Sequence, residues 1–237
     1  MPATESGTIK GGTVKKNDIK RYSIGEEIFN SVSHGVGAAL SVAALVLCVV
    51  AAAVGSGTAL AVLSSVIYGA SLIILYMSST LYHALTNAAA KKVFRIFDHS
   101  SIFILIAGTY TPILLVSLQK NGVYNTLGIV MCSILWGVAI LGVVLNSLSI
   151  EKFKILSMIF YICMGWAAIW TAKPMIESVA SVGLILLLIG GAAYTGGLLF
   201  YGMKKFKYMH SIWHLFVLSG SILHFFAIIL YVYGNIA

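Results

Sequence analysis

A small set of residues combines reactive side chains with positions inside or beside apolar runs: His34, Ser79, His83, Asp98, His99, His210, His214 and His224. Ser79 and His83 are one helical turn apart, as are His210 and His214, so each pair shares a helix face. Two imidazoles at i and i+4 can bind one metal ion, and a third from a facing helix completes three nitrogen ligands. Three neutral histidines leave a fourth tetrahedral position for water, and the ion lowers that water's pKa to about 7, giving hydroxide near neutral pH. On this reading His83, His210 and His214 hold Zn2+. Asp98 stands just outside them, orienting the water or acting as general base. Ser79 hydrogen-bonds the water or a substrate carbonyl oxygen. A proton relay uses the same residue types and is the competing reading of the set. His34, which follows Glu26, Glu27 and Asn30, is left outside the ligand shell. So are His99, which at about 100° per residue points away from Asp98, and the deeper His224.

The elements that must position these residues are membrane helices. The chain has 237 residues, of which 59% are hydrophobic and 9% charged, with mean hydropathy +0.98. Soluble domains carry about 25% charged residues, so too little polar surface is available here to cover a soluble fold, and lipid is the expected solvent. Cys48, Cys132 and Cys163 lie in apolar runs without ligand spacing and read as small hydrophobes. Residues 1–25 read as a disordered, basic cytoplasmic tail, and residues 26–237 as an all-α bundle of seven transmembrane helices. The spacing predicts spans near 28–53, 59–86, 95–118, 124–147, 154–173, 178–201 and 210–234, each matching the roughly 20 residues needed to cross the hydrocarbon core. The expected breaks are short, among them Gly55-Ser56-Gly57, the stretch from Ala88 to Lys92, and Lys173-Pro174.

Charge sets the expected orientation. Of the 15 Lys and Arg residues, all but Lys120 and Lys173 fall in the tail or in the second, fourth and sixth links. The positive-inside rule then puts the N-terminus in the cytoplasm and the C-terminus outside. The same distribution accounts for the net charge of +8 without nucleic acid. It also brings Ser79/His83, Asp98/His99 and His210/His214, from three helices, to one depth at the cytoplasmic leaflet. Span 6 carries Gly190-Gly191-Ala192-Ala193 and Gly196-Gly197, a small-residue face suited to close packing. Pro112 should kink span 3.

The strings Glu27-Ile28-Phe29-Asn30-Ser31-Val32-Ser33-His34-Gly35, Ser79-Thr80-Leu81-Tyr82-His83, Asp98-His99-Ser100-Ser101-Ile102, Ala107-Gly108-Thr109-Tyr110-Thr111-Pro112 and His210-Ser211-Ile212-Trp213-His214 resemble the hemolysin III family. That family is the bacterial branch of the progestin and adipoQ receptors, within the CREST superfamily of membrane hydrolases. The resemblance implies a seven-helix bundle in the cell membrane, with His83, His210 and His214 as zinc ligands, Asp98 holding a water, and Ser79 as the motif serine. The superfamily includes alkaline ceramidases, which cleave a lipid amide; other bacterial members are associated with membrane-lipid and energy homeostasis. Three functions are therefore expected to compete: zinc-dependent hydrolysis of an acyl-chain lipid at the cytoplasmic leaflet, a non-enzymatic sensor of membrane state with structural zinc, and a cytolytic or ion-conducting protein. Membrane lipids are the expected partners.

Overall fold

The computed structural model describes residues 22–119, 122–203 and 206–234. The tail before Tyr22, Lys120 and Lys204-Lys205 lie outside the described residues. Among those described, the chain is helical throughout, and seven helices are long and apolar enough to cross a membrane: Ile24–Gly55, Ala59–Ala84, Ala88–Ser117, Asn125–Leu148, Ile150–Ser178, Ser181–Gly202 and Met209–Tyr233, spans 1 to 7. Their outer faces carry exposed apolar side chains such as Val46, Ile140, Ile155 and Leu188. Their inner faces bury polar ones such as Asn30, Ser79, Asn146 and Thr171. This inversion of the soluble pattern is what a lipid solvent requires.

Local chemistry places the boundaries. Ser23 and Glu26 form a reciprocal capping box that starts span 1 at Ile24, slightly earlier than expected. Gly57, at φ +64, makes the turn into span 2, which Thr58 caps. The stretch from Ala88 to Lys92, expected as a break, is instead the first turn of span 3. The Asn87 side chain accepts from the amides of Ala89 and Ala90, both at 3.0 Å, and the alanines that follow favour helix. Lys173-Pro174 likewise does not separate two spans. Span 5 runs on through a 3-10 segment, Ala167–Thr171, into a last helical stretch, Ala172–Ser178, near whose start a proline is tolerated. Pro112 ends the regular α-helix of span 3, and the chain continues as a π-helical turn, Ile113–Ser117.

Spans 1 with 2, 2 with 3, and 6 with 7 are the most intimate neighbours, whereas spans 5 and 6 barely touch. Glycine explains the close pairing of 6 and 7. A β-carbon on Gly183, Gly190 or Gly197 would come within 3 Å of Tyr231, His224, or Phe216 and Trp213, respectively. These residues recur every seventh position, so they form one face. Gly191, by contrast, has open space around it.

Candidate metal centre

Spans 1, 3 and 7 begin, and span 2 ends, at the same face of the bundle, and the reactive residues gather there. His83 lies one residue before the end of span 2, and His210 is the second residue of span 7. His83, His210 and His214 each offer a ring nitrogen, and these atoms all lie within 4.8 Å of one another. The Nε2 atoms of His210 and His214 are 3.2 Å apart. Zn–N bonds of about 2.0–2.1 Å in tetrahedral geometry place ligand nitrogens about 3.3 Å apart, so this pair already has the spacing of two ligands on one ion.

The third ligand is prepared by a residue that the sequence reading had not placed at the site. The Nδ1 atom of His83 lies 2.6 Å from Oε2 of Glu27 in the first turn of span 1. A carboxylate accepts, so Nδ1 carries a proton, and in the neutral ring Nε2 is the atom with the free lone pair. That Nε2 is buried and has no hydrogen-bond partner among the described residues. A histidine whose far nitrogen is held by a carboxylate is the usual ligand arrangement in metal sites, because it fixes the tautomer and raises basicity. The Nζ of Lys91 in span 3 holds the other oxygen of Glu27 at 2.7 Å. An orphaned acceptor facing two paired ring nitrogens fits a divalent cation. The spacing of Glu27, Asn30 and His34, on one face of span 1, was the signal available in the sequence.

The other predicted residues surround the triad. Ser79, Asp98, His210 and His214 line one small cavity. Asp98 stands outside the mutually close nitrogens and shares the wall of this cavity with Ser79. His99 departs from expectation: its Nδ1 turns back to Oδ2 of Asp98 at 3.2 Å, the ring pivoting on its own side-chain torsions rather than following the helix angle. His34 is buried with its ring stacked on His214, centroids 3.7 Å apart, and edge-on to Tyr76. Its neighbour on that face, Asn30, accepts from the Ser211 hydroxyl at 2.6 Å, fastening span 1 to span 7 beside His210. Tyr22 covers the triad from the membrane face, stacked on His210 at 4.8 Å. Burial pushes the Tyr22 phenol above its ordinary range, with nearby Tyr82, Tyr201, Asp98 and Glu27 adding to the effect, so it stays protonated.

Two larger spaces adjoin this centre. On the membrane-face side lies a polar vestibule of about 330 Å3 that includes Tyr22, Arg95, Lys154 and His210 in its wall. Toward the bundle interior lies an apolar cavity of about 290 Å3. It shares Leu75, Ile102, Tyr161, Leu198, Trp213 and Val217 with the small cavity at the triad, so the two adjoin. Spans 5 and 6 supply much of its wall, at the place where those helices diverge.

Comparison with known proteins agrees with this architecture. Residues 22–225 match the family model described as Haemolysin-III related. The chain is 42% identical over 210 residues to the Hemolysin-3 homolog of Bacillus subtilis, covering 89% of this chain and 96% of that protein. It is also 42% identical over 207 residues to Hemolysin-3 of Bacillus cereus, covering 87% of this chain and 92% of the relative. Similarity extends to the human Monocyte to macrophage differentiation factor, 30% identical over 175 residues, or 71% of this chain and 70% of the human protein.

Proposed function

Because the chain belongs to the Haemolysin-III related family of integral membrane proteins, we propose that its histidine triad binds zinc and that the bound centre hydrolyses a lipid amide, as part of membrane-lipid or membrane-energy homeostasis. We place the triad at the cytoplasmic leaflet, from the positive-inside distribution of Lys and Arg. The observation that carries the reading is an apolar cavity that adjoins, across shared wall residues, a small pocket lined by Ser79, Asp98, His210 and His214. An acyl chain fits the first and a polar carbonyl the second.

A zinc ion held by His83, His210 and His214 would polarise a carbonyl and make a bound water acidic enough to ionise near pH 7. The chain's own residues do the rest. Asp98 takes a proton from the attacking water and passes it to the amide nitrogen as the C–N bond breaks, yielding a fatty acid and an amine. Ser79 donates its hydroxyl to the carbonyl oxygen as negative charge develops there. Glu27, by holding the proton of Nδ1, keeps the Nε2 of His83 available as a ligand. The apolar walls formed by Leu75, Ile102, Trp213 and Val217 keep bulk water from the acyl side.

The test is metal content beside turnover of N-acyl amides in detergent-purified protein. About one zinc per chain, together with turnover that Asp98→Ala abolishes without loss of metal, is the expected result. Zinc with no turnover of any amide would instead favour a non-enzymatic membrane-state sensor, in which the ion ties span 2 to span 7. The Glu27 bridge between spans 1, 2 and 3 gives that second reading its own support, since it makes the centre a mechanical junction.

A further inference from the structure

Span 1 opens with two consecutive carboxylates. Glu27 holds His83 directly, whereas Glu26 reaches elsewhere. Glu26 is buried and shares the wall of the vestibule with His210. Its Oε2 accepts from the main-chain amide of Ser23 at 2.9 Å and from the Ser23 hydroxyl at 2.8 Å. Those contacts are local to span 1. Its Oε1 accepts from the main-chain amide of Tyr208, 182 positions away, at 2.8 Å.

Both ends of this bridge border His210. Tyr208 stands two residues before it, immediately ahead of span 7, and has φ +61. That left-handed conformation is disfavoured for a side chain with a β-carbon and persists only where its surroundings hold it. Tyr208 itself gives span 7 no side-chain cap. The Glu26 carboxylate instead brings an acceptor and a negative charge to that end of the helix, where free amides and the helix dipole favour both. On the other side, Tyr22, the neighbour of Ser23, stacks its ring on His210 at 4.8 Å. One buried carboxylate thus holds the main chain that carries the stacking ring and the main chain from which His210 projects. His210 is the second residue of span 7, and helix ends fray unless they are held. A metal ligand must stay within about 0.5 Å of its working position.

We propose that Glu26 is a positioning residue of the metal centre, aiming His210 by tying the start of span 7 to span 1. The inference rests on the reading of the triad as a metal site, though not on hydrolysis. The adjacent carboxylates then divide the work. Glu27 sets the tautomer of His83, and Glu26 sets the place of His210.

Zinc affinity and the visible absorption of Co2+-loaded protein, measured on the full chain in detergent, test this. The Co2+ spectrum follows coordination geometry, which a lower stability does not by itself alter. Glu26→Ala should weaken zinc about 10–100-fold and change the spectrum. Ser23→Ala removes the capping hydroxyl but keeps the amide of residue 23 and the tie to Tyr208. It should lower Tm and leave both metal readouts unmoved. Tyr208→Gly keeps the donating amide and suits the positive φ, so it should retain zinc and spectrum alike. Glu26→Asp keeps the charge but withdraws the carboxylate by one carbon–carbon bond, about 1.5 Å. It should weaken zinc in the same direction, and it decides the matter should Glu26→Ala not fold. Unchanged affinity and spectrum in the Glu26 variants would overturn the inference. So would an equal loss in Ser23→Ala, or a loss of zinc in Tyr208→Gly. An unaltered protein that binds neither ion would overturn the metal reading and this inference together. Zinc binding that depends on Glu26, without turnover of any amide, would sustain this inference and sink the hydrolase.

Discussion

At the scale of single residues, the centre depends on which nitrogen of each imidazole carries a proton. His83 is set by Glu27, and removing that carboxylate frees the ring to adopt the wrong tautomer. Glu27→Ala should weaken zinc binding about 10–100-fold, read by competition with a chromogenic chelator. An unchanged affinity would show that the carboxylate serves only Lys91. Alanine at His83, His210 or His214 should lower metal occupancy, whereas Asp98→Ala should retain it; unchanged zinc in all four variants would refute the ligand assignment. The triad itself was legible in the sequence because i, i+4 spacing survives folding unaltered. Glu27 was not, because its role comes from a contact across 56 positions that no local pattern encodes. His99 was misplaced because a helix angle fixes the Cα–Cβ direction and not the side-chain torsions.

At the scale of elements, hydropathy located all seven spans but could not weigh caps against apparent breaks. A lysine pair after three alanines looks like a loop until Asn87 is seen capping it, and Pro174 looks like a terminator until it falls near the start of a helical stretch. The small-residue stretch of span 6 was visible, but not which glycines make contact. That distinction carries a prediction. Gly197→Leu would drive a side chain into Phe216 and Trp213, 2.8 and 2.9 Å from its β-carbon. It should cost about 1–3 kcal/mol, measured as a lower Tm in detergent. Gly191→Ala meets nothing within 4 Å and should leave Tm unchanged or slightly raised. Equal losses in both variants would mean that span 6 packs through a different face.

At the scale of the whole molecule, the centre joins helices that the chain visits early and late. A ligand that binds only the folded bundle stabilises it by about 2.7 kcal/mol at a hundred times its Kd. Chelation should therefore lower the Tm of the intact protein and leave that of His210→Ala/His214→Ala unmoved. A chelator-insensitive Tm in the intact protein would argue against a zinc that ties the spans. The orientation argued from Lys and Arg predicts that a periplasm-active reporter fused at the C-terminus is active, and activity from an N-terminal fusion instead would reverse it. The reactive groups come from spans 1, 2, 3 and 7, while spans 5 and 6, which diverge, furnish much of the wall of the apolar cavity. Heredity can treat these two parts separately. Mutations along spans 5 and 6 can reshape what is admitted without disturbing a single ligand, so descendants of one ancestor can share the same reactive end and differ in diet.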